Sequence, residues 1–359
     1  MESAEDVEVL VLLNRTPGIR MRGLAPFFER GLRAAEILEW IGSGENPSWK
    51  ESLEATLKKF DPKRELDETE KLGIEILPFG SPDYPYLLKE SSDPPLVLYV
   101  KGNLEESDQA AVAVVGSRHP SLYGLEQSRR FARTLAGWGL TIISGFARGI
   151  DRAGHEGALE VSFGRTLAVL GSGLDVIYPK EHEALYEEIS ERGALVSEFA
   201  LGAPPLAENF PRRNRIIAGL ALGTVVIEAH SRSGSLITAR LAVEEGREVF
   251  ALPGRVDQLG SRGTHGLIKE GACLVEFPEE VFNVLAPQLW LLTALTPPSG
   301  DALSGEESEL LELFDGKPLT IDGAVKKSNH PISTVASLLT GLELKRRLRK
   351  RPDGRFERV

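Results

Sequence analysis

Seven short apolar, β-branched runs recur through the middle of this chain, at 112–116, 140–145, 166–171, 194–199, 224–229, 248–253 and 273–277. Between most of them lie 12–20 residues with helical spacing, such as 122–136 and 235–245. Runs this short and this continuously apolar are strands buried on both faces, because a half-exposed strand would alternate with polar residues. Strand–helix alternation then predicts an extended, Rossmann-like parallel sheet covered by helices on both sides.

Small residues follow these strands. Gly116-Ser117-Arg118, Ser144-Gly145-Phe146-Ala147-Arg148-Gly149 and Gly171-Ser172-Gly173 follow the first three, and Ser231-Arg232-Ser233-Gly234-Ser235 and Pro253-Gly254-Arg255 follow later ones. Such residues let backbone N–H groups approach a ligand closely. In an open parallel sheet these loops share one edge, the carboxyl ends of the strands, where ligands bind. Glycine is ordinary in βα turns, so each loop alone says little; five in register, four with arginine, point to a site.

The segment Phe210-Pro211-Arg212-Arg213-Asn214-Arg215 opens a predicted helix. Proline suits a first helical turn, whose N–H groups lack intrahelical partners. Free N–H groups and the macrodipole favour an anion there, arginines add bidentate phosphate donors, and Phe210 offers a face for a base. Two readings stay open from these residues alone: a nucleotide or nucleic-acid grip, and a solvated basic turn on a core helix.

Residues 1–72 are expected to be a helical domain. Thr16-Pro17-Gly18-Ile19-Arg20 leads into Leu24-Ala25-Pro26-Phe27-Phe28 like a helix–hairpin–helix, in acidic surroundings that favour a structural or protein-contact role. The sheet domain is expected over 73–290, entered irregularly through Gly80-Ser81-Pro82-Asp83-Tyr84-Pro85 and Pro94-Pro95. A Pro/Ser/Gly-bearing linker over 291–303, including Thr296-Pro297-Pro298-Ser299-Gly300-Asp301, separates it from a small winged helix over 304–359. That domain has Ser304 as a cap, helices over 306–313, 320–327 and 332–342, and a wing over 347–359 turning at Asp353-Gly354. Its basic run Lys345-Arg346-Arg347-Leu348-Arg349-Lys350-Arg351 suits either nucleic-acid phosphates or a solvated helix end.

The net charge of −11 is unevenly spread. Residues 1–110 carry 13 Lys/Arg against 22 Asp/Glu, whereas 111–273 balance at 18 each and 301–359 carry 11 against 10. A phosphate footprint must therefore be local to the middle or the C-terminal end. No apolar stretch is long enough to span a membrane, the acidic start lacks a signal-peptide pattern, and the single Cys273 reads as a buried structural thiol. A cytoplasmic protein fits these features.

No G-x-G-x-x-G stands at the first strand, and no G-x-x-x-x-G-K-[ST], G-x-S-x-G or H-E-x-x-H occurs anywhere. His119, His155, His182, His230, His265 and His330 are scattered, without zinc spacing. Asp151, Asp175, Glu198 and Glu228 lie near strand ends and are candidate carboxylate catalysts. The stronger reading makes Asp151 a helix cap and pairs Glu198 or Glu228 with nearby arginines. The expectation is a protein with no catalytic residues, no metal and no cofactor. The alternative is a nucleotide-binding or N-glycosidic-bond-cleaving enzyme in the same pocket.

Taken together, 112–118 through Tyr123-Gly124, 144–151, 171–179, 210–219 and 233–239 resemble the DNA-processing protein A (DprA/Smf) family over about residues 75–285. The flanks are similar to that family's N-terminal sterile-alpha-motif-like and C-terminal winged-helix domains. The resemblance implies an ATP-independent protein that binds single-stranded DNA, dimerises through the Rossmann-like domain and hands strands to the RecA recombinase in natural transformation. It makes Arg118 the phosphate-gripping arginine, Phe210 the base contact, and Arg212 and Arg215 part of the basic motif. The full expected DNA-binding set is Gly116, Ser117, Arg118, Ser144, Gly145, Arg148, Gly171, Ser172, Phe210, Arg212, Arg213, Asn214, Arg215, Ser233 and Gly234. A lysine that some members carry before the aromatic has no counterpart in Leu206-Ala207-Glu208-Asn209. The related phosphoribohydrolases use P-G-G-x-G-T-x-x-E, and 231–239 supplies no matching glutamate, a departure that favours binding over hydrolysis.

Overall fold

A computed structural model describes residues 4–295, 305–314, 317–328, 330–344, 347–351 and 354–358. Five helices come first: α1 (Ala4–Arg15), α2 (Met21–Glu29), α3 (Ala34–Ser43), α4 (Pro47–Leu57) and α5 (Pro62–Lys71). Local chemistry places the last two starts. Asn46 accepts from the Trp49 N–H and Asp61 from the Lys63 N–H, each immediately before a proline at the first helical position. The turn between α1 and α2 holds Gly18 at φ +83°. Leu10, Leu13, Leu24, Ile37 and Ile41 are buried in a cluster shared with Val97, Tyr99 and Leu195, so these helices pack onto the sheet.

The sheet follows. Its elements are β1 (Ile74–Pro78), α6 (Tyr86–Lys89), β2 (Val97–Gly102), β3 (Ala111–Val115), α7 (Leu122–Gly137), β4 (Thr141–Ser144), α8 (Ile150–Leu159) and β5 (Thr166–Val169). Then come α9 (Glu183–Arg192), β6 (Ala194–Ser197), α10 (Asn209–Leu220), β7 (Gly223–Val226), α11 (Ser235–Glu244), β8 (Glu248–Ala251), α12 (Arg262–Lys269), β9 (Cys273–Leu274) and α13 (Pro278–Leu295). All seven expected strands are present, and β6-β5-β4-β3-β7-β8-β9 are mutually parallel. Two more strands were not expected. β2 pairs antiparallel with β6 and β1 antiparallel with β2, giving nine strands and an antiparallel edge. Pro78 and the Pro94-Pro95 pair hid them, and an edge tolerates proline where a central strand does not.

Alternate residues of β3 serve different cores: Ala113 and Val115 pack with Ile216, Ile217 and Ala239 under α10 and α11, whereas Val112 and Val114 pack with Phe131, Leu135 and Val281 under α7 and α13. Cys273 lies half-buried on the short edge strand β9, less enclosed than expected. Strand order runs outward from β3 to β6 on one side, then returns through α10 to β7 on the other side of β3. The β3/β7 junction is therefore the topological switch point, where adjacent loops diverge and leave a crevice.

The last segment has α14 (Gly305–Glu312), α15 (Ile321–Ser328), α16 (Ile332–Leu344), β10 (Leu348–Lys350) and β11 (Phe356–Arg358), with its own core of Leu310, Phe314, Val335, Leu339, Leu342, Leu348 and Phe356. Three helices and a hairpin are the winged helix expected from the sequence. Glu357 pairs with Arg349 at 2.5 Å and Arg351 at 3.4 Å across that hairpin, neutralising part of the basic run. Helix α13 continues to Leu295, into the span expected to be linker. Residues 296–301, Ser304, Lys345, Arg346 and Asp353 lie outside the described residues.

Under the sheet, His155 of α8 is fully buried. Thr166 Oγ1 donates to the Ile142 carbonyl at 2.7 Å, so it accepts from His155 Nδ1–H at 2.6 Å and leaves Nε2 without a partner. Burial, with the His182 and Arg213 charges, pushes its pKa down to about 3. The folded pKa is below the unfolded one, so the unfolded chain binds the proton first and stability falls as pH drops from 6.5 towards 3. Urea melts should show a wild-type loss of up to about 1.4 kcal/mol per pH unit beyond that of His155→Gln between pH 6.5 and 4. Parallel pH profiles for the two proteins would refute this.

Candidate nucleic-acid interface

Four strand-end loops and the start of α10 enclose a cavity of about 610 Å³ at the switch point. Gly116 and Arg118 come from the β3 loop, Ala147 from the β4 loop and Asp151 from the start of α8 that follows it, Tyr178 from the β5 loop, and Arg232, Ser233 and Gly234 from the β7 loop. Phe210, Arg213 and Asn214 of α10 form the remaining wall. A smaller recess of about 20 Å³ adjoins it, sharing Arg118, Ala147, Tyr178 and Phe210 and adding Gly145, Arg148, Gly171 and Ser172. The fifth loop, at Gly254-Arg255, lines neither space, and Arg255 pairs with Asp257 at 2.8 Å.

Phe210 is the centre of this arrangement. The Arg118 guanidinium lies 4.9 Å from its ring centroid, Arg213 lies 5.9 Å away, and the Tyr178 ring is tilted beside it at 6.0 Å. Gly171 fits beneath because it has no side chain: a Cβ there would come 3.1 Å from Phe210 Cδ1. Gly149, at φ +80°, lets two loops meet, since a Cβ would stand 2.4 Å from the Ser117 carbonyl. Between them Phe146 is held at φ 56°, a conformation costing a bulky residue on the order of 1–3 kcal/mol. Its ring is buried against His182 at 5.2 Å and Tyr186 at 6.2 Å, which over-determines that backbone.

The expected arginines divide sharply. Arg118 has no ion-pair partner among the described residues and faces both spaces. Arg148 lines the smaller recess, 5.9 Å from the Tyr178 ring, but pairs with Glu181 at 2.5 Å. Arg213 is 3% exposed and donates to the Gly145 carbonyl at 2.6 Å and to the Val169 carbonyl, so it ties strand ends to α10. Arg212 and Arg215 point away from the cavity. Both donate to Glu198 at 2.8 Å, and Arg215 also reaches Asp93 at 3.3 Å. Helical geometry separates them: at about 100° per residue, 210, 213, 214 and 217 share one face while 212 and 215 take the other.

Ser117 and Ser144 also fall outside the cavity lining. The Ser117 carbonyl accepts from the Ile150 N–H at 3.1 Å, and buried Ser144 donates to the Val114 carbonyl at 2.6 Å. Gly116, Asn214, Ser233 and Gly234 do line it, and Gly145, Gly171 and Ser172 line the adjoining recess. Glu208, in the stretch that has no counterpart to the family's lysine, is an exposed residue at the start of α10 and lines neither space. Tyr178 and Arg232 were not singled out from the sequence. Tyr178 had a signal, being the one aromatic in the third small-residue loop; Arg232 sits beside Ser233 with nothing local to distinguish it.

Three of the candidate carboxylates are engaged in support. Glu228 accepts from Ser121 N–H and Oγ–H at the start of α7, Glu198 holds the two arginines, and Asp175 accepts from the Gly202 N–H. Asp151 alone faces the cavity. It sits one residue inside α8 and accepts from the Ala147 N–H at 3.3 Å, so the capping role expected for it is only approximate. Burial raises its pKa, opposed chiefly by the Arg213 charge; burial likewise lowers Arg213 to about 10, opposed by Asp151. Among the described residues no cluster of three or more His, Cys, Asp or Glu converges to hold a metal ion.

Fold and cavity together define an α/β protein with a basic, aromatic crevice at the switch point of its sheet, followed by a winged helix. The family model described as DNA recombination-mediator protein A matches residues 75–286, and that of the DprA winged helix domain matches 294–354. Protein Smf of Escherichia coli (strain K12) is 45% identical over 284 residues, spanning 77% of this chain and 75% of its own length. DNA processing protein DprA of Streptococcus pneumoniae (strain R6) is 48% identical over 198 residues, 55% of this chain and 70% of its own. The chain belongs to the DNA recombination-mediator protein A (DprA/Smf) family. Its fold matches the crystal structure of DNA processing protein A from Streptococcus pneumoniae with a TM-score of 0.68 at 36% identity, covering 79% of this chain and 98% of that one. It also matches a structure of DNA processing protein A from Helicobacter pylori, described as showing a unique single-stranded DNA binding mode. That match has a TM-score of 0.54 at 31% identity over 60% of this chain and 96% of that one.

Removing the buried guanidinium should separate architecture from binding. Arg213→Leu strands the Asp151 charge and orphans two carbonyls, and should cost about 3–5 kcal/mol in chemical denaturation. Arg118→Ala, with no ion pair to break, should stay within about 1 kcal/mol of wild type. Equal losses in the two variants would contradict this division.

Proposed function

We propose that the switch-point crevice grips single-stranded DNA, that the protein is a non-catalytic, cytoplasmic recombination mediator, and that it delivers the strand to RecA as a homodimer joined through its Rossmann-like domain. The observation that carries the binding step is Arg118: an arginine with no ion-pair partner among the described residues, laid over an aromatic ring in the crevice where such sheets bind ligands. The guanidinium supplies phosphate recognition and Phe210, flanked by Tyr178, supplies a stacking face. Backbone approach at Gly116, Gly145, Gly171, Ser233 and Gly234 leaves room for the strand. Family membership and the single-stranded DNA binding described for the Helicobacter pylori relative support the same direction.

In this reading the contributors are fewer than the basic motif suggests. Arg118 and Arg232 touch phosphate, Phe210 and Tyr178 touch bases, and Arg212, Arg213 and Arg215 hold the scaffold. Fluorescence titration with a single-stranded oligonucleotide tests this. Arg118→Ala should weaken binding by several-fold or more and flatten the log–log salt slope by about 0.7 per lost phosphate contact. Phe210→Ala should cost about 1–3 kcal/mol with the salt slope unchanged. Normal affinity for both variants at physiological salt would sink the assignment.

Asp151 favours one competing reading, because a buried carboxyl with a raised pKa beside a cavity is what a general acid needs. Incubation with nucleoside monophosphates distinguishes them. Base release that disappears in Asp151→Asn would establish an N-glycosidic-bond-cleaving enzyme; the binding reading expects no release.

A further inference from the structure

We infer that Glu198 is a positioning residue for the crevice, and that the N-terminal helices bear on the site through it. The inference rests on the reading of Phe210 as a base platform. Glu198 follows β6 directly and is 1% exposed. Its Oε2 accepts from Arg212 Nη2 and from Arg215 Nη2, each at 2.8 Å. These arginines stand three residues apart on the α10 face turned from the cavity. One carboxylate oxygen thereby fixes two successive turns of the helix, and with them its rotation about its own axis. That rotation decides whether Phe210 and Asn214 on the opposite face meet the crevice.

The same node is held from the other side by the N-terminal helices. Asn14 Nδ2 of α1 donates to the Glu198 carbonyl at 2.7 Å. Asp93, the second acceptor for Arg215, receives the Arg22 N–H at 3.2 Å and lies 3.8 Å from Arg20. Neither Asn14, Arg20 nor Arg22 lines the cavity. The node is an expensive one, because Glu198 Oε1, Arg212 Nε and Arg215 Nη1 are buried without hydrogen-bond partners. Buried ion pairs of this kind contribute little net stability against apolar packing, but here one carboxylate oxygen holds two guanidinium groups of the same helix in place. The N-terminal helices thus set the orientation of α10 without touching the strand.

Full-length protein titrated with a fluorescent oligo(dT) and with an abasic oligonucleotide of the same length tests the inference. Wild type prefers the dT strand, and Phe210→Ala removes that preference. Glu198→Gln should reduce the dT-to-abasic affinity ratio by about fivefold or more, on the scale of one lost stacking contact, and change the abasic affinity by less than about twofold. Added to Phe210→Ala, it should have no further effect on the ratio. Asn14→Ala should shift the ratio the same way by a smaller factor. Should Glu198→Gln fail to fold, Arg212→Lys, which keeps the charge and loses the fork geometry, carries the same measurement. An unchanged ratio, or equal loss on both strands, overturns the positioning role while leaving Phe210 as the platform. A wild type indifferent to base, or a Phe210→Ala variant that keeps the preference, overturns the platform itself and the positioning role with it.

Discussion

A guanidinium buried under the crevice is the interaction on which the site depends. Arg213 is sent inward from α10, where it donates to carbonyls at the ends of β4 and β5 and balances Asp151 at the start of α8. Strand ends leave carbonyls that no ladder satisfies, and a single rigid fork of donors can satisfy two of them at once. That fork fixes where α10 crosses the sheet edge. Phe210, one turn earlier on the same face, is carried to the mouth of the cavity as a result.

Around this anchor, charges of opposite sign are assigned by depth. Glu198 is buried and consumes two arginines, while Arg118 is left to face the open space beside an aromatic ring. A patch that reads as strongly basic in sequence therefore presents few uncompensated cations in three dimensions. Aromatic contacts replace some of that charge, with Tyr178 set against Phe210 and Arg148 against Tyr178. The crevice thus presents aromatic faces beside a guanidinium rather than charge alone.

Most of the fold was legible in the sequence. The seven parallel strands announced themselves as short apolar runs, and their glycine loops marked the edge that carries the crevice. Strands β1 and β2 were missed, because prolines around them mimic irregular chain and only the sheet edge tolerates that composition. Of the residues singled out from the sequence, Arg118, Phe210 and the glycines line the crevice, whereas Arg212 and Arg215 turn away from it to Glu198. Their sequence neighbours look equivalent, since each is an arginine in one basic run. Rotation by about 100° per residue gave neighbouring arginines different surroundings.

By itself, then, the sequence determined the parallel α/β architecture, the flanking helical segments and the sheet edge that carries the crevice, since hydrophobic periodicity and small loop residues encode these locally. Only the tertiary structure decided which arginines remain free. That outcome depends on Asp93 and Asp151, which lie far from the basic motif along the chain, and on Glu198 just after the preceding strand, all brought to it by the return crossing of α10. Whether a charge is available to a ligand is a property of its partners, and partners are chosen by packing.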